Sequence, residues 1–210
     1  MDFKIIRMPV GSYQANCYIV FNDENEAIII DPGAQPFDIL KAVEERNLKV
    51  SKILLTHAHP DHFGALKEVR EKLNVPAYIS TKDEVMLEDR SGNLGEMLGI
   101  KSETLKADVI FNENDYIDFG NKKIQVILTP GHTPGGACFL LDDILFTGDT
   151  LFSGSIGRTD LPGGDYDTIM ESLRELMNLP ADTIVLPGHG PETTIAQEKI
   201  NNPFIRSMIW

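Results

Sequence analysis

Four segments of this chain share one form: an apolar, strand-like run that ends in a loop carrying histidine or aspartate. Residues 52–56 (KILLT) lead into His57-Ala58-His59-Pro60-Asp61-His62, residues 125–131 (QVILTPG) into His132, residues 144–148 (ILFTG) into Asp149, and residues 183–188 (TIVLPG) into His189. The chain has five histidines, and all five lie in these loops. A lone histidine on an apolar face is usually structural, but five of five at strand ends is a different pattern. Strands of one sheet edge end near each other, and functional residues sit on such loops. The fold is therefore constrained to bring together four loops that are far apart in sequence.

The loops offer seven nitrogen and oxygen donors: His57, His59, Asp61, His62, His132, Asp149 and His189. A tetrahedral zinc ion takes four ligands, and a catalytic one keeps a position open. Seven donors exceed one such site and suit two divalent ions that share a bridging carboxylate. His57 and His59, two residues apart, can face one ion. Asp61 and His62 open the following helix and can face a second, and Asp149 has two oxygens with which to bridge. Pro60 suits a first helical turn, where an aspartate is also favoured by the helix dipole. The set contains no thiolate, so zinc, iron and manganese all remain open. A closed structural zinc site is the poorer reading, because such sites usually have four ligands and often thiolates.

Elsewhere, strands are expected at residues 3–8, 16–21, 26–30, 53–55 and 76–80, and helices at 36–47 and 60–74. Residues 82–107 read as semi-regular, mixing helical pieces with glycines at 92, 95 and 99, and serve as a lid or pocket wall or as packing. Residues 108–128 read as strands with a turn at Gly120-Asn121, and 137–147 as a hairpin around Asp142-Asp143. A helix over 167–178, a strand at 183–186 and a last helix from about 192 complete the chain. This is a mixed α/β pattern in one domain, 1–210, with a similar rhythm of strands and helices in each half. The net charge of -13 argues against a nucleic-acid partner, which needs a basic face, although bound cations would offset part of it locally. No apolar run approaches membrane-spanning length, and residues 1–7 hold no leader-like apolar segment, so a cytoplasmic protein without membrane association is expected. Cys17 and Cys138 lie in apolar runs and are expected to be buried and unpaired. Monomer and dimer both remain open.

The His57-x-His59-x-Asp61-His62 run with a later His132, Asp149 and His189 resembles the metallo-β-lactamase superfamily. That resemblance covers nearly the whole chain. It implies an αββα sandwich with the metal site at one edge of the two sheets. It also implies the division His57, His59, His132 against Asp61, His62, His189, with Asp149 between. Asp31, in the segment IIIDPG, matches an acidic position that supports the metal loop without binding metal. Within the superfamily the chain looks like the short members of the glyoxalase II-like (hydroxyacylglutathione hydrolase-like) branch. Segments 8–11 (MPVG), 14–18 (QANCY), 154–160 (GSIGRTD), 187–194 (PGHGPETT) and 202–204 (NPF) carry that likeness. Long glyoxalase II enzymes add a helical C-terminal domain that binds glutathione. Here only residues 190–210 follow His189, and that domain is expected to be lacking. Arg158 falls where the long enzymes place a basic residue against the thiol carrier, with Asp160 standing for a nearby aromatic and Pro191 for a tyrosine. The plainer reading of Arg158 is an ion pair with Asp160.

These implications add up to a thioester hydrolase of the glyoxalase II type, acting on a small-molecule S-2-hydroxyacyl thiol such as S-D-lactoylglutathione. A hydroxide shared by two metal ions would attack the carbonyl, Asp61 would orient it and Asp149 would hold both ions. A persulfide dioxygenase of the same superfamily is the main rival. It keeps the HxHxDH run and shares 157–160 (GRTD), but uses one iron at the positions of His57, His132 and Asp149. The loop continuing His189 into Gly190-Pro191 favours the hydrolase. A non-catalytic metal-binding module has no sequence signature of its own here. A β-lactamase is disfavoured because one common class has cysteine at the position of Asp149 and because no leader is seen. A nuclease is disfavoured by the acidic charge and the lack of room for an added substrate domain.

Overall fold

A computed structural model describes residues 3–89, 94–100 and 104–208. The chain opens with an antiparallel meander of β1 (Phe3–Val10), β2 (Ala15–Asn22) and β3 (Glu26–Ile30). It then alternates α1 (Pro36–Glu45), β4 (Lys49–Leu54), α2 (Pro60–Phe63), α3 (Leu66–Leu73), β5 (Ala77–Ser80), α4 (Thr81–Glu88), α5 (Gly95–Leu98) and β6 (Val109–Phe111). A second meander follows, with β7 (Tyr116–Phe119), β8 (Lys122–Leu128), β9 (Ala137–Leu141) and β10 (Ile144–Gly148). Then come the small hairpin β11 (Leu151–Phe152) and β12 (Ser155–Ile156), α6 (Tyr166–Leu176), β13 (Ile184–Pro187), β14 (Thr193–Thr194), α7 (Ile195–Asn201) and α8 (Pro203–Arg206). The first sheet has the order β1-β2-β3-β4-β5-β6, the second β14-β13-β10-β9-β8-β7. Each half is thus an antiparallel meander extended in parallel, by β4, β5 and β6 in the first and by β13, with β14 antiparallel at its edge, in the second, which accounts for the rhythm seen in the sequence.

The central strands are continuous apolar runs because both their faces are covered. Alternate residues serve different layers. In β2, Cys17 and Ile19 pack with α1 and α3, whereas Tyr18 and Val20 point between the sheets. In β9 and β10, Phe139, Ile144 and Phe146 also point between the sheets, while Cys138 and Leu145 face α6 and the C-terminal helices. Three apolar layers therefore separate four layers of structure, α, β, β and α. The two cysteines are buried and unpaired, as expected, and lie in opposite outer layers.

Two local expectations are corrected. The helix expected over 60–74 is two helices, because the loop after β3 packs beneath it. Pro32 O accepts the Ala65 N–H at 2.9 Å, and a Cβ on Gly64 would lie 2.5 Å from Gly33 O. The segment from residue 82, expected to mix helical pieces with glycines, holds α4, whose N-cap is Ser80, and α5. The buried face of α4 includes the charged Asp83, which weakens the apolar period. Residues 90–93 and 101–103 of that segment, with Gly92, lie outside the described residues. The last helix breaks at Asn202-Pro203, where Asn202 caps a second helix through the Phe204 N–H. No described helix is long and apolar enough to cross a membrane.

Candidate metal centre

All seven candidate donors meet at one end of the molecule. The four loops do not come from a single sheet: the His57 loop follows β4 of the first, while His132, Asp149 and His189 follow β8, β10 and β13 of the second. The two sheets are joined here by the turn between β1 and β2 and by the start of β2. Asn16 Nδ2 donates to Pro187 O and Gly190 O, Tyr18 Oη donates to Pro187 O at 2.7 Å, and Ala15 pairs with His189.

The donor atoms of His57, His59 and His132 lie within 4.8 Å of one another, as do those of Asp61, His62 and His189. Asp149 reaches both groups, with Oδ1 3.3 Å from His62 Nε2 and Oδ2 3.5 Å from the Nε2 atoms of both His132 and His189. A third grouping, Asp31 with His57 and His62, is geometrically compact. Asp31 is already committed, however, for it accepts the Thr56 N–H at 2.8 Å, the Thr56 hydroxyl at 2.6 Å and His62 Nδ1–H at 2.9 Å. Its backbone takes the left-handed conformation, φ 51°, at the end of β3.

Outer partners fix which nitrogen of each ring faces inward. His62 Nδ1–H donates to Asp31 and His57 Nδ1–H to Thr56 Oγ1 at 3.0 Å, since that hydroxyl spends its own proton on Asp31. His132 Nδ1–H donates to Arg158 O at 2.8 Å, and His189 Nδ1–H to Tyr13 O at 3.1 Å. In these four rings Nε2 is left to point at the centre. The result is that His62 Nε2 and His189 Nε2 face each other at 3.2 Å, and His59 Nδ1 faces His132 Nε2 at 2.9 Å. His57 Nε2, His59 Nε2 and Asp149 Oδ1 are buried with no hydrogen-bond partner. Buried acceptors without partners are costly unless cations lie among them. The donor set fits divalent metal ions.

The electrostatics agree. Burial, then the neighbouring histidines, drives His57 well below the usual imidazole range and His59 down to about 3, so both are neutral and able to donate lone pairs. Burial also works against the charge on His62 and His189, but carboxylates overcome it and raise both: chiefly Asp149 and Asp61 at His62, and the Asp61 hydrogen bond at His189. Burial pushes Asp149 and Asp61 up, yet the His62 charge holds both below the usual carboxylate range.

Two further groups position the centre, one of them outside any motif. Asp83 is fully buried, and its carboxylate accepts the Ala58 N–H at 3.0 Å, the Thr133 hydroxyl at 2.8 Å and the Gly135 N–H at 2.6 Å. It therefore ties the His57–His59 loop to the loop that follows His132. The only hint in the sequence is a capping pattern, Ser80-x-x-Asp83, and there the side chain reaches across to other loops instead of back to its own helix. Gly188 provides the second device, because a Cβ there would lie 2.3 Å from Asp149 Oδ1.

Beside the centre is a cavity of about 280 Å³ with Leu94, Met97, Phe152, Ile156 and Leu161 in its wall. Leu94 and Met97 come from the segment expected to be a lid or pocket wall or packing, and they are pocket wall. Arg158 also lines the cavity, but its guanidinium is held by Asp160 through two bonds of 2.9 Å, both side chains being solvent-exposed. The ion-pair reading of Arg158 is thus the geometry observed.

Residues 10–189 match the Metallo-beta-lactamase superfamily. The chain is 42% identical to the probable metallo-hydrolase YqgX of Bacillus subtilis over 95% of this chain and 96% of that one. It is 37% identical to the hydroxyacylglutathione hydrolase GloC of Haemophilus influenzae over 99% of each. Among solved structures, BLEG-1 B3 metallo-beta-lactamase superposes with a TM-score of 0.92 at 39% identity, over 96% of this chain and 99% of that one. TTHA1623 in a di-iron-bound form gives 0.86 at 37%, over 95% and 99%. ETHE1 from Myxococcus xanthus gives 0.79 at 29%, over 95% and 83%. With the αββα layering and the converging His/Asp loops, these likenesses place the chain among metallo-hydrolases: it belongs to the metallo-β-lactamase superfamily.

Proposed function

We propose that the chain is a thioester hydrolase of the glyoxalase II type that works with two divalent ions, zinc, iron or manganese. The observation that carries this reading is the pair of three-donor groups joined by Asp149. His57, His59 and His132 hold one ion in this reading, Asp61, His62 and His189 the other. Bound divalent ions supply an activated water and Lewis acidity at a carbonyl. Asp61 stays ionised and accepts a hydrogen bond from the attacking water, which orients it. Asp31 and Thr56 keep His62 and His57 in the tautomers that donate inward.

The choice of thioester rests on the cavity and on the relative GloC. Among the described residues, the carboxylates lining the cavity are Asp61 and Asp149, and no described lysine lines it. An amine or alkoxide leaving group needs a proton donor, whereas a thiolate, with a parent pKa of about 8.5, departs without one. The experiment is a turnover panel on the metal-loaded protein with S-D-lactoylglutathione, short acyl thioesters and a chromogenic β-lactam. The reading predicts hydrolysis of thioesters well above that of the lactam. Lactam hydrolysis alone would sink it.

One observation favours a second reading, a one-iron persulfide dioxygenase. Among the described residues, two of the three unpartnered buried side-chain atoms, His57 Nε2 and Asp149 Oδ1, belong to the subset His57, His132, Asp149. Oxygen uptake with glutathione persulfide, in a protein carrying one iron and lacking thioesterase turnover, selects that alternative.

A further inference from the structure

Asp83 is a fully buried side chain in the first turn of α4, outside both groups of candidate metal donors. All of its side-chain partners are donors. Oδ2 accepts the Ala58 N–H at 3.0 Å and the Thr133 hydroxyl at 2.8 Å, and Oδ1 accepts the Gly135 N–H at 2.6 Å. Ser80, the N-cap of the same helix, completes the grip by donating its hydroxyl to Gly135 O at 2.6 Å. A Cβ on Gly135 would lie 2.2 Å from Ser80 Oγ, so the loop comes this close only as glycine. Ala58 stands between His57 and His59, and Thr133 follows His132. The start of α4 thus holds in one frame the backbone that carries the three histidines of the first group.

Different residues hold the other group. Asp31 accepts His62 Nδ1–H, and Tyr13 O accepts His189 Nδ1–H. The run leading to His189 is fixed by β2. Tyr18 Oη donates to Pro187 O, the Asn16 side chain to Pro187 O and Gly190 O, and the Asn16 N–H to Gly188 O at 2.7 Å. None of these bonds involves α4. The two groups meet instead through Asp31, which also accepts the Thr56 hydroxyl beside His57, and through the bond from His62 N–H to His59 O that opens α2.

We propose that Asp83 is a positioning residue for one ion site only: it sets the geometry of the His57, His59 and His132 donors and leaves that of Asp61, His62 and His189 to other residues. The proposal rests on the two-ion reading for the existence of the second site, but not for the support it assigns to the first. Groups that orient metal ligands from outside are typically worth about 10- to 100-fold in metal affinity. Asp83→Asn keeps the shape, but one carboxylate oxygen becomes an amide nitrogen that cannot accept a hydrogen bond. Whichever donors face that nitrogen lose their acceptor.

The test titrates zinc into the full-length metal-free protein against a chelating dye. Anomalous diffraction from crystals grown at one zinc per chain locates the tighter site. Wild type, Asp83→Asn and Thr133→Val are compared. Asp83→Asn is expected to bind one zinc as wild type does, at Asp61, His62 and His189, and the other about 10- to 100-fold more weakly. Thr133→Val removes one hydroxyl from the same carboxylate, so it should weaken the same site by a smaller factor. Amide exchange adds a readout without metal: the Ala58 N–H should exchange faster in Asp83→Asn, while the Gly188 N–H, bonded to Gly148 O, keeps its rate. Equal weakening of both sites, weakening of the other site alone, or unchanged binding overturns the proposal. Should Asp83→Asn not fold, Thr133→Val decides by the same outcomes. A wild type that takes a single zinc at His57, His132 and Asp149 counts against the two-ion reading. Asp83→Asn must then still weaken that zinc, and an unchanged affinity overturns the role of Asp83 as well.

Discussion

The centre is built residue by residue from outward commitments. Four histidines spend Nδ1–H on Asp31, Thr56, Arg158 O and Tyr13 O, and each thereby turns Nε2 inward. Replacing Asp31 with Asn removes the carboxylate that orients His62 and Thr56 while keeping the shape. Metal affinity should fall about 10- to 100-fold, read by competition with a chelating dye; unchanged affinity would mean Asp31 does not position the rings. His62 carries a pH signature of its own. Its pKa in the metal-free chain is raised by Asp149, Asp61 and Asp31 in spite of burial. A raised folded value means that the proton stabilises the metal-free fold fully below about 6.5, the unpaired value, and that this is lost as pH rises through the raised folded value. Near neutral pH a cation must displace that proton. Zinc titrations in buffers of different ionisation heat should show proton release, whereas His59, neutral down to about pH 3, contributes none.

At the scale of elements, the motif loops were legible in the sequence because each follows a run of apolar residues at a strand end. The supports were not. Hairpin β11–β12 has strands of two residues each, too short for any alternation to register, yet Phe152 and Ile156 in it line the cavity. Its anchor is Glu198 on α7, a buried carboxylate that accepts the Gly154 N–H at 2.9 Å, the Thr193 hydroxyl at 2.7 Å and Asn202 Nδ2–H at 2.8 Å. Asn202 also donates to Ser155 O at 3.0 Å. In sequence Glu198 looks like any acidic residue on a terminal helix. Glu198→Ala should cost about 1–3 kcal/mol of stability by leaving buried donors unpaired. It should also raise KM for thioesters at unchanged metal content. A lowered metal content with unchanged KM would place Glu198 on the metal loops instead. Likewise, the break between α2 and α3 was hidden because its cause, the carbonyls of Pro32 and Gly33, lies some thirty residues upstream.

On the scale of the whole molecule, strands buried on both faces read as plain apolar runs, so the α/β class and most strands followed from the sequence. Which strands shared a sheet did not. The expectation that one sheet edge supplies all four loops fails because β4 belongs to the first sheet and β8, β10 and β13 to the second. The centre therefore depends on the inter-sheet layer being packed. Phe139 lies fully buried in that layer, edge-on to Phe111 at 5.5 Å. Phe139→Ala should lower stability by about 3–5 kcal/mol, read by denaturant unfolding of the metal-free protein. A loss below 1 kcal/mol would mean that the layer is not the core of the fold.

In the proposed function, seven side chains from both sheets hold two divalent ions with Asp149 between them. Anomalous diffraction from crystals of the protein grown with zinc tests it most directly. Two peaks are expected, one among His57, His59 and His132, the other among Asp61, His62 and His189, each within bonding distance of an Asp149 oxygen. A single peak held by His57, His132 and Asp149, with the second position empty at saturating metal, would contradict it.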